Sequence, residues 1–280
     1  MGSRGLLNLA LLVMAGGLAA ALLLSQPGTP QQPGRLSRLD PATVDHITVE
    51  RQGQPALHFE RRDGGWHMIG PVAIAANPAR INAMLYLLRE RPRGRIEDPG
   101  RPELKTLGLA PAPVTLRLND QRFALGGTDP VDGLRYVRHR DVVYLLNESL
   151  FAQLRQPPAF FVANRLLPAA AGLTQITCPD RAYIRDEQGW HSQSRQDDKA
   201  AAVAAAWQSA SAQRVLPYRQ RTAIGKVVVK TAAEVIVFDL VPSGATLLLA
   251  RPALGIAYQL TKKTAAALGL DGYIHGESGR

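Results

Sequence analysis

Between residues 44 and 62 the chain alternates apolar and polar side chains in two short runs. Ile47 and Val49 alternate with Thr48 and Glu50, and Leu57 and Phe59 with His58 and Glu60. A period of two is that of a strand with one buried face, and the turn residues Gln52-Gly53-Gln54-Pro55 between the runs predict a hairpin. Asp63-Gly64-Gly65 predicts a tight turn into a third strand beginning at Trp66. The period then lengthens. Asn77 can cap a helix that Pro78 opens, and Ile81, Met84, Leu85 and Leu88 fall on one stripe of it. Alternation returns in Val114, Leu116 and Leu118, and again, after a turn at Asn119-Asp120, in Phe123 and Leu125, ending at Gly126-Gly127. Leu134 to Val137 and Val142 to Leu146 flank a His139-Arg140 turn. A short helix then runs to Leu154, with Asn147 expected as its N-cap.

The second half repeats this pattern. Ile176, Cys178, Ala182 and Ile184 alternate, and Gly189-Trp190-His191 echoes Gly65-Trp66-His67. A helix capped at Asp198 carries Ala200, Val203, Ala204 and Trp207 on one stripe. Strands follow at Val227 to Val229, Val235 to Phe238, Thr246 to Ala250 and Ile256 to Leu260. Tyr144 and Tyr258, Leu146 and Leu260, Asn147 and Thr261, and Leu154 and Leu268 keep one constant offset, with Thr261 as the second N-cap. Hairpins with few helices mean α+β, arranged as two tandem, repeat-related antiparallel sheet-plus-helix units at residues 41–165 and 166–280.

The N-terminus follows another rule. Leu6 to Leu24 is an apolar run broken only by Asn8, apolar on every side and nearly long enough to cross a bilayer. Leu22-Leu23-Leu24 extend it past the small residues Ala19-Ala20-Ala21, and no Cys lies near it. An uncleaved transmembrane signal anchor at residues 1–24 is therefore expected. Arg4 precedes the run, and the Pro-, Gly- and Gln-rich stretch Ser25 to Gly34 after it has no charge. That bias predicts a cytoplasmic N-terminus, a flexible linker at 25–40, and a body in the periplasm of a bacterium, held by one pass through the inner membrane.

Charge and cysteine usage narrow the picture. The 280 residues hold 33 Lys and Arg against 23 Asp and Glu, a net charge of +10, and Arg4 is the only charged side chain before Arg35. A basic body favours anionic neighbours such as lipid headgroups, anionic glycans or an acidic protein. The anchor and the lack of a nucleic-acid-reading motif argue against DNA or RNA. The single Cys178 allows no intramolecular disulfide and reads as a buried thiol.

No residue cluster declares a chemistry. Trp66-His67 and Trp190-His191 are candidate ligand-binding pairs, although an aromatic after a tight turn is commonly a core anchor. Arg91, Arg93 and Arg95 are a candidate anion contact, or complement the C-terminal dipole of the first helix. His58, His67, His139, His191 and His275 have no metal-ligand spacing, so no metal or cofactor is expected. Asp129 with Asp132, and Asp197 with Asp198, read as loop formers and caps rather than catalytic pairs. No catalytic residue is assigned.

Taken in order, the strand pair, Gly64-Gly65-Trp66, the helix after Asn77-Pro78, Leu107-Gly108-Leu109 with Pro111, Arg135-Tyr136-Val137 and Val143-Tyr144-Leu145-Leu146 resemble the bacterial domain of unknown function number 4340. The resemblance covers most of residues 35–155 and continues more faintly into the second half, which lacks the Leu-Gly-Leu-x-Pro stretch. It implies an N-terminal anchor and, for some members, genes beside ABC-type transport components. It implies no catalytic residues. The expected function is a non-enzymatic, membrane-anchored accessory or scaffold with a protein partner in the envelope. The alternative is an envelope enzyme or binding protein for an anionic polymer such as peptidoglycan or lipopolysaccharide.

Overall fold

The computed structural model describes residues 36–168, 171–193 and 199–274. The anchor run Leu6–Leu24, the linker Ser25–Gly34, the pair Asp197-Asp198 and His275 lie outside them. Among the described residues no helix is long and apolar enough to cross a membrane.

In the first unit the order is β1 (His46–Arg51), β2 (Gln54–Arg62), β3 (Gly65–Gly70), β4 (Ile74–Ala75), α1 (Pro78–Tyr86), β5 (Gly94–Glu97), α2 (Arg101–Thr106), β6 (Val114–Leu118), β7 (Gln121–Thr128), β8 (Arg135–His139), β9 (Val142–Leu146) and α3 (Ser149–Leu154). Its antiparallel sheet runs β4-β3-β2-β1-β6-β7-β8-β9-β5. In the second unit the order is β10 (Leu173–Thr177), β11 (Ala182–Asp186), β12 (Gly189–Ser192), α4 (Ala200–Ser209), β13 (Arg214–Pro217), β14 (Gly225–Thr231), β15 (Val235–Ser243), β16 (Thr246–Arg251), β17 (Ile256–Leu260) and α5 (Lys262–Ala267). Its sheet runs β12-β11-β10-β14-β15-β16-β17-β13. Leaving aside the two-residue β4, the two orders are identical. In both, the strand after the long helix returns to pair with the last strand.

The repeat extends to single residues. Tyr144 on β9 pairs with Val137, and Tyr258 on β17 pairs with Leu249. Two residues on, Leu146 pairs with Arg135 and Leu260 with Leu247. Arg135 therefore occupies the place that Leu247 holds in the second sheet.

Local chemistry explains the elements that follow the pattern. The Asn77 side chain accepts from the Ala79 and Arg80 backbone N–H groups, and Thr261 accepts from Thr264. Asp63 and Gly64, with φ of 48° and 74°, make the left-handed turn between β2 and β3. Asn119, with φ of 50°, also ties its turn to the start of β1, accepting from the N–H groups of Asp45 and His46.

Three expectations need correction or addition. Asn147 is not the cap of α3. That helix begins at Ser149 after Glu148, with no side-chain cap, and Asn147 instead donates to Glu90 at 3.0 Å. The short edge strands β5 and β13 have no fully buried face, and α2 has only Leu104 buried. None of the three carries the periodic signal that marks the others.

The inner faces of the two sheets, α1, α3, α4 and α5 bury one continuous hydrophobic core. Phe59 meets Phe161 at 5.7 Å, and Trp207 meets Phe238 at 5.9 Å. Segment 157–168 joins the units and bonds to both. Its Ala163 N–H donates to Ala75 and its Phe161 carbonyl accepts from Asn77, while Leu166 N–H donates to Ala210 and the Asn164 carbonyl accepts from Ala212.

The outer face of the first sheet carries a smaller core of Leu104, Leu107, Leu109, Ala124 and Val143. The Leu107-Gly108-Leu109 segment lies directly on Gly126-Gly127, and Gly127 N–H donates to the Leu107 carbonyl at 2.7 Å. A Cβ on Gly126 would sit 2.6 Å from that carbonyl oxygen and 2.7 Å from Leu109. In the second unit residues 218–224 replace this cover, and Val235 and Val237 stay 57% and 42% exposed.

Two substitutions test this packing by chemical denaturation. Gly126→Ala is expected to destabilise the protein by about 1–3 kcal/mol, because a backbone oxygen blocks the added methyl. Trp207→Ala is expected to cost about 3–5 kcal/mol, because the indole is fully buried and donates to the Leu268 carbonyl.

Candidate functional site

Trp66 and His67 begin β3, and Trp190 and His191 begin β12, at equivalent places in separate sheets. Strand geometry sends each Trp and its His to opposite faces. Both indoles are half-buried and pack against the common core rather than being enclosed by it. Trp66 also lies under the Arg61 guanidinium, 5.1 Å from the ring centre. The fully enclosed indole is Trp207 instead. His67 is half-buried, and its Nδ1 is buried without a hydrogen-bond partner. His191 is exposed, 3.4 Å from Asp186.

Arg91, Arg93 and Arg95 do not end the first helix. Helical structure stops at Leu87–Arg89, a 3-10 turn whose basic residue is Arg89. Arg95 lies on β5 and pairs with Glu97 at 3.0 Å. Arg93 is exposed just before that strand, where its N–H donates to Leu145. Arg91 lines an open cleft of about 500 Å³ shared with Ser37, Arg38, Asp40 and Arg89. Here the dipole reading fails because Pro92 and the Gly94 strand turn the chain away from the helix axis.

The remaining candidates have structural partners. Asp129 accepts from the N–H groups of Val131 and Asp132 and from the Tyr136 hydroxyl. The Asp132 N–H, followed by that hydroxyl, holds its carboxyl below the usual carboxylate range. Cys178 is buried, and burial pushes its thiol up to about 12, so it stays protonated. Among the described residues no group of three or more His, Cys, Asp or Glu converges in a metal-binding arrangement.

A cluster the sequence reading did not single out lies at the end of the first sheet. Arg51 ends β1 on the inner face, continuing the buried alternation of Ile47 and Val49, and is only 6% exposed. Its terminal nitrogens donate to the Gln156 and Pro55 carbonyls at 2.7 and 2.9 Å, while its Nε is buried with no acceptor. Arg135, 9% exposed, is gripped by both carboxylate oxygens of Glu148 and donates to Gly126. Its guanidinium stacks 3.7 Å from the Phe151 ring, and exposed Arg155 approaches the same ring at 5.7 Å. Together they line a cleft of about 430 Å³ with Pro113, Val114 and Gly127. The signal was available: an arginine set in the buried phase of an alternating strand is rare unless something partners it.

At the far end of the strand that Arg135 begins, His139 stacks on Phe123 at 4.5 Å, with Nδ1 3.1 Å from the Arg122 carbonyl. Burial is the largest influence and lowers its pKa. The unfolded chain, with histidine near about 6.5, therefore binds more protons below that pH than the folded one. The stability His139 preserves when neutral is lost as the pH falls through that value toward the lower folded pKa. Urea midpoints should drop between about pH 7 and pH 5, and His139→Phe, which keeps the stack, should flatten that drop.

Comparison with known proteins adds one relationship. No curated protein and no solved structure matches the chain. A family model described as "Domain of unknown function (DUF4340)" matches residues 66–230. That stretch begins at Trp66 on β3, crosses the junction and ends on β14, so it takes in parts of both units and all of the segment that joins them. With more than half of its length matched, the chain belongs to the DUF4340 family.

Proposed function

We propose that this protein is a membrane-anchored, non-enzymatic scaffold in a bacterial envelope complex that includes a transport component, with its body in the periplasm. The observation that carries the reading is the single apolar run Leu6–Leu24, leading through an uncharged linker into a body whose two units share one core. Such a body suits presentation of one surface made by both units near a bilayer, because the two share a core. The basic balance suits a protein kept near anionic headgroups. The charged side chains lining the clefts at Arg91 and Arg51 are, Asp40 aside, guanidiniums, which bind and orient but do not exchange protons near neutral pH.

Fractionation tests the reading. After alkaline carbonate washing the full-length chain should remain in the membrane pellet. Protease added to spheroplasts should digest the body, and crosslinking in intact cells should join it to an envelope protein. A mature N-terminus near Gln26, or recovery in the soluble fraction, would refute the anchor.

A further inference from the structure

We propose that the cleft lined by Arg51, Arg135 and Arg155 is a binding site for a phosphate monoester. The inference goes beyond the scaffold reading and does not depend on where the chain is anchored.

The fold does not require these charges. Arg135 stands opposite Leu146, where the second unit places Leu247 opposite Leu260, and both of those leucines are fully buried. At the equivalent place the second sheet uses a leucine. In the first, a buried cation has been introduced and held in place by Glu148 and Phe151. A buried guanidinium is unfavourable unless charge and hydrogen bonding compensate it. Arg51 has no carboxylate partner among the described residues, and its Nε has no acceptor. Burial accordingly lowers its pKa, the mark of a cation whose desolvation is not offset.

The charge count selects the ligand. The lining residues include three arginines and no Asp or Glu. Glu148, behind Arg135, neutralises one of the three. Arg51 and Arg155 are left, so two positive charges face the cleft. A phosphate monoester carries close to two negative charges at neutral pH and offers three acceptor oxygens, whereas a carboxylate carries one charge and a diester carries one. Guanidinium forks match such oxygens bidentately. Phe151, Pro113 and Val114 give the cleft an apolar wall, and about 430 Å³ leaves room beyond one phosphate for a short organic stem. The monoester could belong to a soluble molecule or to a lipid headgroup; the chemistry recognised is the same.

Titration calorimetry on the full-length protein in phosphatidylcholine nanodiscs, free of detergent, tests the proposal with four probes: inorganic phosphate, glycerol 3-phosphate, acetate, and vesicles containing phosphatidic acid. Saturable one-to-one binding of either phosphate probe, weakened by salt and at least about tenfold tighter than acetate, is expected. Arg155→Gln, on the exposed rim, should weaken it by about tenfold with the unliganded thermal midpoint unchanged. Arg135→Leu, which copies the second unit, should fold and bind still more weakly. Binding of the soluble ester identifies a soluble source, and Arg155-dependent binding of the vesicles alone identifies a lipid one; both support the site. Absence of saturable binding by all phosphate probes overturns it. So does acetate binding equal to phosphate, or affinity unchanged by Arg155→Gln in a variant whose midpoint shows it is folded.

Discussion

The buried backbone of residues 157–168 is the constraint on which the rest of the molecule depends. Ala159, Phe161, Val162, Leu166 and Leu167 carry the chain into the shared core, and a backbone taken out of water must find partners for its N–H and C=O groups. It finds them on both sides, in the strand–helix corner at Ala75–Asn77 and in the turn after α4 at Ala210–Ala212. The Asn164 side chain completes the arrangement, accepting from the Asn77 amide and donating to the Ala212 carbonyl. Separating the units would leave these groups unpaired and expose Phe59, Phe161 and Val215 together. Each hydrogen bond exchanged for water in this way costs about 0.5–1.5 kcal/mol net, and the exposed apolar surface adds to it. The tandem pair is therefore the stable object, consistent with a family match that runs across the junction.

Within that object the two sheets share a plan but not a surface. Leu107-Gly108-Leu109 closes the outer face of the first sheet because Gly126 and Gly127 let a second backbone approach to hydrogen-bonding distance. Any side chain at Gly126 would collide with the Leu107 oxygen. The second unit replaces this cover with a shorter loop around Tyr218, which protects Val241, Leu248, Ala250 and Ala257 but leaves Val235 and Val237 in solvent. The glycine pair and the Leu-Gly-Leu segment are thus two halves of one contact, so the second half loses the motif and the outer cover together.

Much of this was legible from residue order. Period-two alternation located the long strands, because one face of each is buried and the other is not. Asn77-Pro78 and Thr261 marked helix starts, because their oxygens are the only local acceptors for free N–H groups there. The Tyr144 and Tyr258 offset revealed the duplication. What remained illegible lacks a local cause. β5 and β13 are strands because β9 and β17 offer them an edge, not because their own residues alternate. Asn147 has the chemistry of a cap, but Glu90, distant in sequence, claims its amide. The half-buried state of Trp66 and Trp190 depends on how far each hairpin extends past the core, which no turn motif specifies. Arg91, Arg93 and Arg95 drew attention by density, whereas Arg51 and Arg135, with six strands between them in chain order, converge only through sheet pairing.

Duplication also changes what a buried charge implies. In a single domain, a guanidinium that is nine-tenths buried can be explained as an inherited structural ion pair, and nothing within the molecule contradicts that. Here the molecule contains its own control. One strand order and one pair of closing helices are used twice, the strand beside Arg135 carries a bulge between Leu125 and Thr128 that its counterpart lacks, and the place that holds Arg135 in the first unit holds Leu247 in the second. Strand order alone, which places leucine here in the other copy, does not demand an arginine, and a desolvated cation is the more demanding solution. The difference between the copies therefore separates residues that build the fold from residues that do something else. By that criterion the Trp–His pairs, present in both copies at matching places, belong to the architecture. The arginine cleft, present in one copy only, is not part of the repeated plan, and it is there that we place the proposed binding site.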